Sequence, residues 1–550
     1  MQHKSTFVIT VALIALAAFS LGFMFSGTIT TLSLEHAEKL LGLEFSPAER
    51  DSMLSTIQEQ QQFYDQIRSV PLVNSDLPSL LFNPIPPGFR WTGNSGGFHL
   101  SSPVPVRRPR NLEDAAFYSI GELAQLIRTH QVTSIELTEM YLHRLKKFSP
   151  ILECVVTLTD SLAIKQAKRA DREIAAGHYR GMLHGIPYGA KDLISVKEYP
   201  TSWGVGMYKD RRFPKDATVI QKLEKAGAVL VAKLTMGELA MGDVWFGGKT
   251  KNPWNRKQGS SGSSAGSSAA TSAGLVAFGI GSETWGSIVS PATRCGVTGL
   301  RPTYGRVSRA GAMSLSWSMD KIGPICRTVE DCAIVLHAIN GIDEKDPMTY
   351  DVPFAYSPVI DVHKLRIGYL KSDFDSLGTE KSLLTSVLDE LRTMGATLVP
   401  ITMPEYPVSP LAIMLHAESA AAFDDLTRSN RDDLLKQQDK DAWPNGFRSS
   451  RFIPAVEYIQ ASRIRTKLIA DMDKLMHSVD LYVVPSLTDN LLLTNLTGHP
   501  CVVIPVGDAE KGTLTSISFI GRLFDEGRIL AVTKQYQDRT GFHRKHPLLQ

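Results

Sequence analysis

The sequence predicts an α/β fold, helices covering a β-sheet, on three observations. Helical periodicities alternate with short apolar runs, the helices carry their own start and stop signals, and the composition is that of an ordinary globular chain. Hydrophobic residues make up 43% and charged residues 21%, at a mean hydropathy of −0.07, which excludes a multispanning membrane protein and a mostly disordered one. Over 550 residues, 59 Lys and Arg against 56 Asp and Glu leave a net charge of +3, too little for a nucleic-acid footprint. The five cysteines (Cys154, Cys295, Cys326, Cys332, Cys501) are odd in number and scattered, with no CxxC and no paired histidine spacing. They write neither a disulfide framework nor a metal site.

Residues 1–26 read as a signal peptide or N-terminal membrane anchor. His3 and Lys4 precede the 19 positions Phe7 to Phe25, interrupted only by Thr10, Ser20 and Gly22, and no charge follows before Glu35. A secretory signal has a basic start, an apolar stretch of roughly 7–15 residues and small residues at the cut; Ala18-Phe19-Ser20 or Ser20-Leu21-Gly22 would serve. The run also reaches the lower end of the roughly 17–25 residues that span a bilayer. Membrane association through residues 7–25 is therefore expected, or export, with the remaining chain periplasmic, extracellular or anchored outside the cytoplasm.

Residues 27–110 read as an N-terminal helix followed by a Pro/Gly-rich linker arm. Ser46 is an N-cap, Pro47 takes the first helical position and Glu49 closes a capping box, with Leu54, Ile57, Tyr64 and Ile67 on one face. From Pro71 to Pro109 eight prolines, with Gly88, Gly93, Gly96 and Gly97, forbid regular structure. The main domain is expected at 111–550. Ser119-x-x-Glu122 caps one helix, and Leu137, Tyr141, Leu145 and Phe148 line a second. Ala217 to Ala226 forms a third, stopped by Gly227 and followed by the strand Ala228 to Ala232.

Residues Gly259 to Gly274 contain only seven Ser, four Gly, four Ala and one Thr, a composition that in isolation reads as a flexible linker. The segment runs directly into Leu275 to Ile280, an apolar strand pattern, so its small side chains are expected to allow close backbone approach and to present hydroxyls and amides to a site. No GxxxxGK[ST] follows, which removes a phosphate-cradling loop. A nucleophile elbow, GxSxG, is formally present as Gly262-Ser263-Ser264-Ala265-Gly266 and would make Ser264 the nucleophile of an α/β-hydrolase-like esterase. That elbow must follow a strand, whereas Asn252 to Gln258 is polar and interrupted by Pro253.

A third reading uses the flanks. Gly262-Ser263-Ser264-Ala265-Gly266-Ser267, Gly281-Ser282-Glu283-Thr284-Trp285-Gly286-Ser287-Ile288, Pro291-Ala292, Cys295-Gly296 and Gly299-Leu300-Arg301-Pro302-Thr303 resemble, in order, the motifs of the amidase signature family. Upstream, Gly185 to Asp192 is similar to its lysine segment, and Asn495 to Pro500 and Ile520 to Glu526 to its closing motifs. The resemblance covers about residues 115–550. It implies the amidase signature fold, a central mixed β-sheet with helices on both faces, and hydrolysis of a small-molecule or peptide amide without metal or cofactor. Its Ser-Ser-Lys triad falls on Ser287 as nucleophile, Ser263 as the serine preceded by a cis peptide bond, and Lys191 as base. The backbone N–H groups of Thr284, Trp285, Gly286 and Ser287 fall on the oxyanion hole.

The residue types suit that chemistry. A serine hydroxyl is a weak nucleophile until a neighbour takes its proton, and no histidine stands beside this tract. Lysine can do so only when neutral, which requires burial to pull its pKa down from about 10.4. The chain departs from the family pattern at Ser261, Ala265, Glu283, Trp285 and Val289. Glu283 in place of Asp, and Val289 where an arginine is common, are more similar to the peptide amidases of the family. Trp285 replaces a small or polar residue and is expected to narrow or stack against the acyl side, or to serve the core. The catalytic component of the glutamyl-tRNA amidotransferase, which works with partner subunits in the cytosol, is the alternative within the family. Substrate-shaping residues are expected within 400–480, with Glu418, Phe423 and Arg428 as helix-surface candidates.

Overall fold

Several helices begin where the sequence offers an acceptor for their first amides. The computed structural model describes residues 29–89, 91, 96–509 and 513–549, so the apolar run Phe7–Phe25 lies outside the described residues. Thr30 caps α1 (Thr31–Leu41), and the reciprocal Ser46 and Glu49 bonds open α2 (Pro47–Ser69) at the expected residue. Both belong to a compact unit ending at Val73; the chain from Asn74 onward forms a second. There, Ser119 with Glu122 opens α3 (Ile120–Arg128), and Thr133 with Glu136 opens α4 (Ser134–Leu152). The predicted face of α4, Leu137, Tyr141, Leu145 and Phe148, is buried.

The second unit is built on one mixed eleven-stranded sheet with helices on both sides. In chain order the strands are β1 (Val155–Leu158), β2 (Pro187–Lys191), β3 (Val229–Leu234), β4 (Phe278–Glu283), β5 (Thr298–Arg301), β6 (Lys321–Cys326), β7 (Arg366–Leu370), β8 (Thr397–Ile401), β9 (Leu481–Pro485), β10 (Cys501–Ala509) and β11 (Thr513–Gly521). Their spatial order is β1-β3-β2-β4-β6-β5-β10-β11-β9-β7-β8. The pairs β2–β3, β2–β4, β7–β9 and β7–β8 are parallel and the rest antiparallel. β2, β3 and β6 are buried at every position, as strands covered on both faces must be. The register of β2 on β4, Tyr188 with Phe278 and Ala190 with Ile280, brings Lys191 to the end of β4 where the chain turns out of the sheet. Clefts in sheets of this kind form outside the carboxyl ends of parallel strands.

Two strand expectations shift. The strand expected at Leu275–Ile280 runs over Phe278–Glu283, because the chain must first reverse at Gly274, φ +63°, after the preceding helix. Within Asn252 to Gln258, read as polar and broken by Pro253 rather than as a strand, the structure starts a strand Asn255–Gly259 that pairs with Lys251–Asn252 in a small ribbon. Pro253 sits in its turn, where a missing N–H costs no ladder bond.

Candidate active site

The serine-rich tract is a buried helix rather than a linker. This helix, α5 (Ala265–Ser272), is buried along its whole length, which only small residues permit. A Cβ on Gly266 would sit 2.4 Å from the Cys154 carbonyl oxygen, and one on Gly281 would sit 2.8 Å from Ser264 Oγ. The tract thus packs directly on β4, and the loop before it, with a cis peptide bond at Gly262–Ser263, lies beside the end of β2.

There Lys191, fully buried, donates to Ser263 Oγ at 2.8 Å, Ser264 Oγ at 3.1 Å and Ser282 Oγ at 2.9 Å. Loss of solvation pushes its pKa down to about 7, and the more distant charges of Asp320 and Glu283 only partly oppose this. No carboxylate lies within ion-pair distance of it among the described residues, in contrast to buried Lys233, which pairs with Asp192 at 2.8 Å. Ser264 donates to the Ser282 carbonyl and accepts the Ser282 amide, so its hydroxyl is engaged in the interior.

The turn after β4 is held from below. Glu283 accepts the amides of Ile288 at 2.8 Å and Val289 at 2.9 Å through one oxygen, and Arg301 and Asn495, both at 2.8 Å, through the other. Burial alone would raise its pKa, but the Arg301 and Lys321 charges and these bonds outweigh it and hold the carboxyl at about 2. Thr284 is tied to Asp320, and Gly286 takes φ +82°, a left-handed turn that suits glycine. The N–H groups of Trp285, Gly286 and Ser287 consequently meet no acceptor among the described residues. Ser264 N donates to the Ser287 carbonyl at 3.1 Å, which links the serine tract to this turn.

Ser287, Thr284, Trp285 and Gly262 line a cavity of about 520 Å³. Ser263, Ser264 and Lys191 do not line it, and the Ser287 hydroxyl is hydrogen-bonded to neither Ser263 nor Lys191. Trp285 is an open wall residue, not a core one. The facing wall comes from residues 413–453, with Leu415, His416, Trp443 and Ile453. The three candidates read from that segment stand elsewhere. Glu418 is buried and accepts from Ser316, Ser318 and Tyr458; Phe423 packs on Trp203 and Phe447; Arg428 pairs with Asp424. Nothing in the sequence marks the true wall, because cavity-facing positions there depend on packing between segments that share no motif.

An amidase family model matches residues 136–491. The chain belongs to the amidase family. The A component of the glutamyl-tRNA(Gln) amidotransferase of Coxiella burnetii is 33% identical over 481 residues, 78% of this chain and 99% of the relative. The protein named AmiD of Mycobacterium tuberculosis, described as a candidate amidase, is 34% identical over 471 residues, 80% of this chain and 98% of the relative. Among solved structures, native peptide amidase from Stenotrophomonas maltophilia superposes with a TM-score of 0.71 at 29% identity, covering 79% of this chain and 99% of that one. This amidase is accordingly an amide hydrolase on a mixed sheet flanked by helices. Its cysteines are all buried free thiols, and no cluster of three or more His, Cys, Asp or Glu among the described residues is arranged to hold a metal ion.

Proposed function

We propose that this amidase hydrolyses a carboxylic or peptide amide through an acyl-Ser287 intermediate, with Lys191 as base acting through Ser263. The observation that carries the reading is a buried lysine with no carboxylate beside it, 2.8 Å from Ser263, next to a turn whose unbonded amides adjoin the cavity. Ser287 Oγ attacks the amide carbon; its proton passes to Ser263, whose own proton passes to Lys191. The developing oxyanion takes the N–H groups of the 284–287 turn. The amine then leaves with a proton returned along the same path, and water, deprotonated by the same relay, releases the acid and restores the serine. Ser287→Ala should abolish both amide turnover and the acyl-enzyme adduct seen by mass spectrometry while the chain stays folded. If Ser264→Ala abolished them and Ser287→Ala did not, Ser264 would be the nucleophile.

The similarity to a component of an amidotransferase supports a second reading, in which the chain delivers ammonia within a multi-subunit enzyme. Turnover of simple amides by the chain alone favours the first reading; turnover only with partner subunits favours the second. We further propose that the enzyme acts outside the cytoplasm, from the run Phe7–Phe25 behind Lys4. Fractionation recovering it in the cytosol with residues 1–25 intact would reject that. Among the described residues no helix is long and apolar enough to cross a membrane.

A further inference from the structure

Trp285 stands beside the open amides of the turn with its indole uncovered. It is 44% exposed, lines the cavity next to Ser287, and has no ring, ion or hydrogen-bond partner among the described residues. Trp443, on the facing wall, is the opposite kind of residue. Only 7% exposed, it donates Nε1 to the Leu239 carbonyl at 3.0 Å and stacks on Phe447 at 5.0 Å, so its ring is fixed in place. Leu315, Leu415 and Ile453 extend the apolar surface. The polar lining selects no net charge: Lys440 and Asp441 are adjacent and opposite, and burial lowers the pKa of His416, which keeps it neutral. A volume near 520 Å³ falls in the range of small-ligand sites, about 300–1,000 Å³.

We infer that the cavity takes uncharged amides that carry an aromatic ring, with Trp285 as the specificity-determining residue that stacks on that ring. The inference rests on the amidase reading of the site and names its substrate class. An aromatic pair adds to simple burial an attraction that corresponds to about twofold to tenfold in affinity, so aromatic and saturated rings of similar size are the informative comparison.

The test measures binding of 3-phenylpropionamide and 3-cyclohexylpropionamide by calorimetry to the full-length Ser287→Ala protein, with turnover of both by wild type in parallel. The phenyl compound should bind at least about twofold tighter. That ratio should collapse toward one when Trp285→Ala is added and return with Trp285→Phe. Equal binding of the two, a preference for the cyclohexyl compound, no binding of either, or a ratio that survives Trp285→Ala overturns the inference. Binding in the expected ratio with no wild-type turnover would instead count against the amide hydrolysis, so the two failures are distinguishable.

Discussion

An amine buried among hydroxyls keeps the hydrogen bonds it needs but loses the solvation that favours its charged form, and Lys191 is in that position. With its pKa at about 7, amide turnover should rise roughly tenfold per pH unit below 7 and level off above it. Lys191→Arg should be as inactive as an alanine variant, because guanidinium does not surrender its proton; near wild-type activity in it would remove Lys191 as the base. Linkage gives a second expectation. Between about 7 and 10.4 the unfolded lysine holds a proton that the folded one lacks, so stability should rise with pH across that window. In Lys191→Met that component, no more than about 5 kcal/mol, should vanish, flattening the dependence of urea unfolding on pH from about 7 to 10. The residue types at 191, 263 and 287 were legible through ordered motifs. The partner Ser264 was not, since hydroxyls in a tract of seven serines are indistinguishable until packing aims each one, and neither was Ser282, which lies beyond that tract on β4.

A turn whose amides meet no acceptor cannot stabilise itself, and here the element that does so is a carboxylate with four partners. Glu283 joins the 284–288 turn to the start of the helix Val289–Cys295, to Arg301 on β5 and to Asn495. Glu283→Gln removes the charge and leaves Arg301 buried and uncompensated, which should cost about 3–5 kcal/mol in urea unfolding together with most of the amidase activity. The pH dependence has a definite sign. Folding depresses the Glu283 pKa to about 2, so its contribution is complete above the unfolded value of about 4.3 and is lost as pH falls from there toward 2. Glu283→Gln should lack this acid-limb loss; an unchanged acid limb would mean that other carboxylates carry it. Elements with local signals matched their predicted starts, as the caps Ser46 and Ser119 show, while the limits of β4 depended on how the chain leaves the preceding helix, which no local pattern records.

At the scale of the molecule, the family resemblance carried the mixed sheet with helices on both faces but not the order of its strands, because β2 meets β4 and β5 meets β10 across long stretches of chain that no periodicity connects. The same holds for the proline-rich arm, which composition describes only as extended. From Asn74 onward it is bonded to the main body: Asn74 exchanges two hydrogen bonds with the Ser314 backbone at 2.7 and 2.8 Å, and Ser101 reaches Glu330 through amide and hydroxyl, both at 2.9 Å. Phe82 packs edge-on to Tyr304 and under Arg465, whose guanidinium carbon is 3.5 Å from the ring centre. Ser314 adjoins Leu315 in the cavity wall, so the arm braces the cavity as well as the core. Two truncations should therefore differ sharply. A chain beginning at Asn74 retains Lys191, Ser263, Ser287 and the arm from Asn74 onward, and is the reference for kcat/KM and melting temperature. A chain beginning at Asn111 loses these four hydrogen bonds at roughly 1 kcal/mol each, the packing of Phe82 at about 2 kcal/mol, and further bonds such as those of His99 and Gly97 with Tyr356, for a deficit of at least about 6 kcal/mol. It should melt lower and show a raised KM before any change in kcat, as the wall at Leu315 loosens while the serine and lysine positions hold. Equal melting temperatures and KM for the two truncations would mean that the arm's contacts contribute nothing to the folded site.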